Sequence, residues 1–241
     1  MSREKELEEI LSKTEGEVFE KATLQSLWKL MSKGYISSFD FPISTGKEGN
    51  VFRAKRGDEF IAVKIYRINT STFRNISKYL MYDSLYKVRK DRRSIIFAWA
   101  KKEFNMLKRL HSLKVRVPEP IANEGNVIVM EYIGTAEQPA PLLKDAAIEN
   151  AENIFCKLAE YLRIMYRAGI VHADFSEYNV LIHENEAVII DVGQTVGLDT
   201  PMAFEFLKRD VKNITRFFRK YMNVDEETMF KYIVGKKDEI C

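Results

Sequence analysis

Two acidic residues and one asparagine near the middle of the chain have the types and spacing of a phosphoryl-transfer site. Asp174 stands two residues after His172, Asn179 closes the same segment, and Asp191 follows Asn179 after twelve residues. In such sites one carboxylate orients the attacking hydroxyl, and an Asn/Asp pair holds Mg²⁺ against a nucleotide. We therefore take Asp174 as the candidate catalytic base, and Asn179 and Asp191 as candidate metal ligands.

The sequence between Asn179 and Asp191 predicts a β-hairpin that brings these two side chains together. Two apolar runs, residues 180–182 and 187–190, flank a polar turn at 184–186. With the turn centred on Asn185, Asn179 and Asp191 lie opposite each other at the open end of the hairpin. Two oxygen ligands then reach one point, as a hard cation requires. The alternative is a surface hairpin on which both residues merely end strands.

A glycine-containing loop, residues 44–51, lies between two predicted strands and is a candidate cover for phosphates. Gly46 and Gly49 permit the tight turn and the close backbone approach that phosphate oxygens need. The loop is not a Walker loop, because Lys47 is followed by an acidic residue rather than Ser or Thr. It also differs from the glycine-rich loop of protein kinases, since Ser44 stands where the first glycine would be. An ordinary two-glycine turn is the alternative.

Lys64 lies in a strand-like run, residues 61–66, that is apolar on both faces. Strand alternation directs its ammonium group toward a covered surface, so it needs an anionic partner. Glu103 is the candidate, since it falls on the inward stripe of a predicted helix, four residues after Trp99. The sequence thus predicts a Lys64–Glu103 ion pair. The alternative is that Glu103 extends into solvent beside Lys102.

The run Val127–Gly134 reads as a strand that leads into a linker. Backbone groups of Glu131 and Ile133 are candidates to bond the edge of an adenine, with Val51 and Ile190 covering its two faces. A plain strand followed by a turn would have the same sequence.

Composition limits the class of protein. The chain of 241 residues suits one large domain or two small lobes. No apolar run approaches the roughly 18 residues of a membrane span, and the first ten residues are too charged for a signal sequence. The two cysteines, Cys156 and Cys241, match no metal spacing. We therefore expect a reducing cytoplasm, with Cys156 packed as a small apolar residue.

Charge is segregated along the chain although the net charge is only +3. Residues 87–116 hold eleven Lys and Arg, whereas 119–160 hold eight acidic residues. Such a basic block is either a solvated surface or a surface that meets the phosphates of RNA.

Hydrophobic periodicity predicts the elements that position these residues. Helices are expected over residues 3–33, 94–113, 146–168 and 202–222. Strands at Phe39–Ser44, Val51–Lys55 and Phe60–Ile68 form an antiparallel meander, with a further short strand near 127–132. The polar stretch 69–93 predicts a mobile loop.

Several segments together resemble the RIO family of atypical protein kinases, and most closely its type 1 branch. The matching segments are residues 44–48, 63–67, 99–110, 171–180, 190–194 and 206–210, and the combination of 45–48 with 172–179 is highly specific. The resemblance implies an α+β, two-lobed protein-kinase-like fold: an N-terminal helical segment (1–38), a small antiparallel sheet lobe (39–132) with a flexible insertion at 69–93, and a helical lobe (133–241). A long activation loop and the peptide-binding subdomains would be missing, since only about ten residues follow Asp191 before the next predicted helix. The absence of long tails suggests an archaeal member.

The resemblance implies ATP-dependent phosphoryl transfer to protein serine, including the protein's own serines, with Mg²⁺ or Mn²⁺. This activity would serve maturation of the small ribosomal subunit in the cytoplasm. An ATPase switch on a preribosomal particle, with Asp191 transiently phosphorylated, uses the same site. A small-molecule phosphotransferase of the aminoglycoside or choline type shares the spacing around Asp174, but loop 44–48 and the insertion are not expected there.

The resemblance also assigns partners and further residues. The partners are ATP, the preribosomal small subunit with its rRNA and proteins, and a second copy of the chain; no membrane partner is expected. The basic stretch 87–93 is a candidate contact for rRNA, and Ser84 and Ser94 are candidate autophosphorylation sites. The candidate ATP-binding residues are Ser44, Thr45, Gly46, Lys47, Glu48, Val51, Lys64, Glu103, Met130, Glu131, Ile133 and Ile190.

Overall fold

A computed structural model describes residues 20–71, 73–82 and 91–241. They form two compact units. Of the described residues, unit 1 contains 20–71, 73–80, 91–104 and 119–132, and unit 2 contains 81–82, 105–118 and 133–241. Ser84, most of the basic stretch 87–93 and the part of the predicted N-terminal helix before residue 20 lie outside the described residues.

Unit 1 is built on a five-stranded antiparallel sheet with the strand order β1-β2-β3-β5-β4. The predicted meander is present as β1 (Ser38–Thr45), β2 (Gly49–Arg56) and β3 (Glu59–Tyr66). The predicted strand near 127–132 is β5 (Val127–Glu131), and it pairs with a strand that was not predicted, β4 (Pro120–Glu124). β4 is short and begins at a proline, so its sequence has the pattern of a loop.

Helix α1 (Lys21–Ser32) covers one face of this sheet. Its Leu27 and Leu30 share a buried cluster with Ile61, Val63 and Ile65 of β3. Side chains alternate along a strand, so the even-numbered residues of β3 project from the opposite face. The core under α1 therefore fixes the direction in which Lys64 points.

The insertion is partly helical. Helix α2 (Phe73–Met81) occupies residues that we predicted to be a mobile loop, so that prediction is wrong for this part. Ile76 and Leu80, four residues apart, are buried on one side of the helix. The polar residues around these two positions obscured the helical period. Helix α3 (Arg92–Ser112) follows, close to its predicted bounds.

Unit 2 carries the remaining helices and two small sheets. Its helices are α4 (Ala151–Arg167), α5 (Ala203–Phe218) and α6 (Glu226–Ile233), of which only α6 was not predicted. β6 (Ile170–Val171) pairs with β9 (Val196–Gly197), and β7 (Val180–His183) pairs with β8 (Glu186–Ile189). Within the described ranges, no helix has the length and apolar character needed to cross a bilayer.

The two cysteines form a disulfide, so the prediction that Cys156 is merely packed as a small apolar residue was wrong. Cys156 on α4 and Cys241 have their Cα atoms 6.1 Å apart although 85 positions separate them in sequence. The C-terminal segment returns to α4, where Arg163 donates a hydrogen bond to the main-chain oxygen of Asp238 at 3.0 Å. This return depends on tertiary packing, which cysteine spacing does not encode. The cysteines therefore no longer support a reducing compartment.

Candidate active site

The hairpin β7–β8 is present, but its register is one residue away from the predicted one. His183 pairs with Glu186, so the turn consists of Glu184 and Asn185, whose φ angles are 50° and 63°. Two successive positive φ angles are typical of the tight two-residue turn of hairpins. Ile190, rather than Asp191, therefore lies opposite Asn179, and its N–H donates to the main-chain oxygen of Asn179 at 2.9 Å.

Asp191 follows the hairpin with a left-handed backbone, φ 61° and ψ 53°. Aspartate adopts this conformation more readily than most residues. A short 3-10 helix, Val192–Gln194, begins directly after it, so the chain turns away from the direction of β8. The side chain of Asp191 is exposed.

Asp174 is held by two amide side chains. Asn179 Nδ2 donates to the main-chain oxygen of Asp174 at 2.7 Å and lies 3.3 Å from Oδ2 of its carboxylate. Gln194 Nε2 donates to the same Oδ2 at 3.0 Å. Burial raises the pKa of Asp174, the hydrogen bond from Asn179 opposes this, and the negative charge of Asp191 adds to the rise. The carboxylate is thus oriented and close to Asp191.

The backbone around Asp174 is held by two residues in the middle of α5, Arg209 and Asp210. Ala173 has φ 64°, which is costly for a residue with a Cβ. Asp210 accepts hydrogen bonds from the N–H groups of Ala173 and Phe175, each at 2.8 Å, and the Arg209 guanidinium donates to the main-chain oxygen of Ala173. These contacts fix the peptide groups on both sides of Asp174.

Asp210 was not among the predicted site residues. It is fully buried, and burial raises its pKa to about 7. A signal was available: Asp210 lies on the apolar stripe of α5 between Leu207, Val211 and Ile214, as Glu103 does on α3. A charged residue on a buried stripe needs partners, and here the partners are backbone N–H groups.

His172 has a packing role. Its ring lies edge-on to the ring of Phe175, with centroids 5.3 Å apart. Burial lowers the pKa of His172 to about 4, and the negative charge of Asp191 opposes the shift only in part. The imidazole is therefore neutral near pH 7, and it supports the segment that carries Asp174.

In unit 1, the glycine loop is a three-residue connection between β1 and β2. Gly46 N–H donates to the main-chain oxygen of Gly49 at 3.0 Å. A Cβ atom at Gly49 would lie 2.3 Å from the main-chain oxygen of Ile65, so only glycine fits against β3 at this position. Glycine at position 49 thus lets the backbone of β2 approach that of β3 closely.

The rest of the loop is held by the segment after β3. Ser44 pairs with Val51 on β2, and the next residue, Thr45, ends β1. The main-chain oxygen of Lys47 accepts a hydrogen bond from Thr70 Oγ1, and that of Glu48 accepts one from Arg67 N–H, both at 2.8 Å. These bonds fix two carbonyl groups of the loop.

The predicted ion pair is present in unit 1. Lys64 Nζ lies 2.8 Å from Glu103 Oε1, and the side chains are 12% and 3% exposed. Val51 lies directly opposite Lys64 across β2 and β3, so their side chains share one face of the sheet.

The candidate adenine-binding residues are divided between the units. Met130 and Glu131 end β5 in unit 1, whereas Ile133 and Ile190 belong to unit 2. Glu131 N–H donates to the main-chain oxygen of Glu119 at 2.8 Å, and the oxygen of Ile133 accepts from Ala140 N–H at 3.0 Å. These two backbone groups are already hydrogen-bonded within the protein. Fewer backbone groups therefore remain that could bond the edge of an adenine.

The donor set of Asn179 and Asp191 fits a magnesium ion that arrives with a nucleotide. In the part of the chain that the structure describes, no group of three His, Cys, Asp or Glu side chains could hold a metal by itself. One amide oxygen and one carboxylate are hard ligands, and Mg²⁺ commonly takes one or two such ligands plus phosphate oxygens and water. With its Nδ2 directed at Asp174, Asn179 has Oδ1 available as the ligand atom.

One of the two candidate autophosphorylation sites can be placed. Ser94 lies in the first turn of α3, where its N–H donates to Asp91 Oδ1 at 2.9 Å. Ser84 lies outside the described residues.

Comparison with known proteins identifies relatives over most of the chain. The RIO domain family matches residues 50–231. The RIO-type serine/threonine-protein kinase Rio1 of Haloferax volcanii is 43% identical over 230 residues, covering 94% of this chain and 79% of that protein. Rio1 of Methanocaldococcus jannaschii is 39% identical over 228 residues, with 93% and 78% covered. Human RIO1 is 36% identical, but only 37% of it is covered.

Solved structures with the same fold confirm the predicted fold class. The Rio2 kinase from Chaetomium thermophilum has a TM-score of 0.73 at 24% identity, covering 90% of this chain and 68% of that one. A second structure of that kinase, an ADP/Mg²⁺-phosphoaspartate complex, has a TM-score of 0.69 at 22% identity, with 97% and 76% covered. The family match and the two archaeal relatives together establish that the chain belongs to the RIO family of atypical serine/threonine protein kinases, in its type 1 branch.

Proposed function

We propose that the protein transfers the γ-phosphoryl group of ATP to serine residues of proteins, including its own, with Mg²⁺ as the metal. The observation that carries this proposal is the fixed carboxylate of Asp174, which accepts from Gln194 and sits between two peptide groups bonded to Asp210. A general base needs an oriented carboxylate with an accessible proton-accepting oxygen. The relatives, all named as serine/threonine kinases, favour a protein substrate over a small molecule.

The remaining roles follow the chemistry of phosphoryl transfer. Asn179 and Asp191 would hold Mg²⁺, which neutralises charge on the phosphates when the nucleotide is bound. Lys64, fixed by Glu103, would contact the phosphates. The loop residues Ser44–Glu48 would cover the phosphates, while Val51, Met130, Glu131, Ile133 and Ile190 would bind the adenine.

An ATPase cycle is a second function of the same site. Asp191 has an exposed carboxylate in a left-handed turn, and the Rio2 relative was solved as an ADP/Mg²⁺-phosphoaspartate complex. In this cycle a carboxylate oxygen of Asp191 would attack the γ-phosphorus of ATP, and ADP would leave. Water would then hydrolyse the acyl phosphate and release inorganic phosphate.

We also propose a setting in which this chemistry takes place. The resemblance to the type 1 branch supports action on the preribosomal small subunit in the cytoplasm. The basic stretch 87–93 would bind rRNA phosphates, and a second copy of the chain would be a substrate for autophosphorylation. Ser84 and Ser94 are the proposed acceptors.

A time course with γ-labelled ATP and purified preribosomal small subunits tests the two functions against each other. Label that resists hydroxylamine and appears on serine supports the kinase. Label on the protein that hydroxylamine releases, together with free phosphate, supports the ATPase cycle through Asp191. A protein that neither binds nor turns over ATP in the presence of Mg²⁺ would disprove both.

A further inference from the structure

Tyr66 is a buried tyrosine next to the Lys64–Glu103 ion pair. It ends β3 two residues after Lys64, so both side chains project from the same face of the sheet. Tyr66 is only 1% exposed. Lys64 Nζ lies 4.9 Å from the centroid of its ring, within the range of a cation–π contact.

The hydroxyl group of Tyr66 donates to the carboxylate of Glu103. It bonds Oε2, whereas Lys64 Nζ bonds Oε1 at 2.8 Å. The two oxygens of one buried carboxylate are thus held by two different side chains of β3. Hydrogen bonds to a charged group are stronger than neutral ones, and a buried acceptor is costly to leave unsatisfied. The hydroxyl therefore restricts the rotation of the carboxylate and keeps Oε1 toward Lys64.

The backbone of Tyr66 is fixed by Asn126, which lies between β4 and β5 and is itself bonded to α1. Tyr66 N–H donates to the main-chain oxygen of Asn126 at 3.0 Å, and Asn126 Nδ2 donates to the main-chain oxygen of Tyr66 at 2.7 Å. The same Nδ2 donates to Thr23 Oγ1 on α1 at 2.8 Å. Asn126 and Thr23 are both buried. A continuous set of hydrogen bonds thus runs from α1 through Asn126 and Tyr66 to Glu103 and Lys64.

We propose that Tyr66 is a positioning residue for phosphoryl transfer, which orients Glu103 so that Lys64 is held for the phosphates of the nucleotide, and that Thr23 and Asn126 extend this positioning to α1. The inference rests on the proposed function, because it gives Lys64 its ligand. It differs from a purely structural role for Tyr66. If the role of Tyr66 were purely structural, replacing it would lower the stability of the fold, and this loss would not depend on the ammonium group of Lys64.

The test is a double-mutant cycle with Tyr66→Phe and Lys64→Met, read by calorimetry with ATP and with adenosine in the presence of Mg²⁺. Tyr66→Phe removes one oxygen atom and keeps the ring. We expect it to weaken ATP binding and to lower turnover by roughly tenfold each, with adenosine binding unchanged. In the Lys64→Met background, the same change should have no further effect on ATP binding. Thr23→Val should act in the same direction, by a smaller factor.

The matched control is Tyr132→Phe. Tyr132 is also buried in unit 1, and its hydroxyl has no hydrogen-bond partner among the residues that the structure describes. Removing that hydroxyl should leave the ATP-to-adenosine affinity ratio at the wild-type value. Thermal unfolding of all variants checks that the fold is intact.

Three results would overturn the proposal. The first is wild-type ATP affinity and turnover in Tyr66→Phe. The second is an equal loss of ATP and adenosine binding. The third is an effect of Tyr66→Phe that persists undiminished in the Lys64→Met background, because Tyr66 would then act independently of the ion pair. If wild-type protein binds ATP no better than adenosine and Lys64→Met changes neither, the proposed function itself fails, and the inference fails with it.

Discussion

Gln194 donates a hydrogen bond from Nε2 to Oδ2 of Asp174 over 3.0 Å. Asn179 Nδ2 lies 3.3 Å from the same oxygen. Two amide groups thus engage one oxygen of the carboxylate, so in the proposed reaction Oδ1 would be the oxygen that accepts the proton of the substrate hydroxyl. The contacts that orient Asp174 would thus be made by one carboxylate oxygen, and the contact with the substrate hydroxyl by the other.

Replacing Asp174 with Asn should lower turnover by roughly 10² to 10⁴ while ATP affinity changes little, because a general base acts on the chemical step. Single-turnover phosphorylation and calorimetry with ATP measure the two quantities.

Gln194→Ala is the companion variant. Losing the hydrogen-bond donor to Asp174 should raise the pKa of Asp174 further and move the acid limb of the pH–rate profile to higher pH. Wild-type turnover in Asp174→Asn would remove Asp174 from the mechanism.

Changing Asn179 or Asp191 to Ala should weaken Mg²⁺-dependent ATP binding as well as turnover, since each would remove one of the protein's oxygen ligands. A Mg²⁺ titration at fixed ATP measures the effect as a higher metal concentration at half-saturation. Glu184→Ala, in the exposed turn of the same hairpin, is the control. An Asp191→Ala protein with unaltered Mg²⁺ dependence contradicts the assignment.

Lys64→Met should weaken ATP binding and leave adenosine binding near wild type, because the ammonium group would contact phosphates and not the base. Calorimetry with both ligands separates these cases. Lys102→Met, a neighbouring buried lysine with its ammonium 5.2 Å from the Trp99 ring, controls for loss of a buried cation. An equal loss of both ligands in Lys64→Met would point to the adenine pocket or the fold.

The stability of the protein should depend on the protonation of Asp210. Its pKa is about 7 in the folded protein, against an ordinary value of 3.8. Between these values the folded state binds a proton that the unfolded chain releases, so stability falls as the pH rises from about 4 to about 7. The free energy involved is on the order of 4 kcal/mol. Asp210→Asn should lack this dependence.

The pH dependence of the free energy of unfolding is measured by chemical denaturation of the wild type and Asp210→Asn at several pH values between 4 and 8. Asp58→Asn, at the exposed turn between β2 and β3, is the control and should follow the wild type. Parallel pH profiles for wild type and Asp210→Asn would show that Asp210 does not titrate in this range.

The basic stretch should contribute to binding of the preribosomal particle through RNA phosphates. Replacing Arg89, Lys90, Arg92 and Arg93 with Ala should weaken particle binding and flatten its dependence on salt, with ATP affinity near wild type. Arg92 also donates to Asn69 Oδ1, and the Arg93 guanidinium lies 5.1 Å from the Phe97 ring, so an Arg92→Lys/Arg93→Lys variant is the charge-preserving control. Unchanged salt dependence in the quadruple variant would mean that the stretch is an ordinary solvated surface.

Sequence reasoning succeeded where a residue's neighbours in the chain determine its direction. Lys64 and Glu103 were paired correctly because a strand with apolar faces and a helix with an apolar stripe each fix one side chain. The hairpin was correct in extent but wrong by one residue in register. The predicted turn was centred on Asn185 alone. The structure instead has a two-residue turn, in which both Glu184 and Asn185 are left-handed, and this shifts the pairing by one residue.

Other features depend on contacts between distant parts of the chain. Asp210 binds backbone N–H groups 35 and 37 positions away, and any residue type offers such groups. In the sequence, Tyr66 has the pattern of an ordinary apolar residue at the end of a strand. Its hydrogen bond to Glu103 becomes visible only in the folded structure. Helix α2 was missed because a few apolar residues in a polar sequence suffice once they pack against a core.

The disulfide between Cys156 and Cys241 has a chemical consequence beyond its position. Asp174, Asn179, Asp191 and Asp210 all lie between the two cysteines in sequence, so the bond closes a covalent ring that contains them. In the chain-entropy description, closing a ring of this size is worth about 4–5 kcal/mol of folding stability. A reductant would open the ring without touching any of these side chains. The redox potential of the surroundings would therefore change the folding stability of residues 156–241. Oxidised and reduced preparations are two different chemical species.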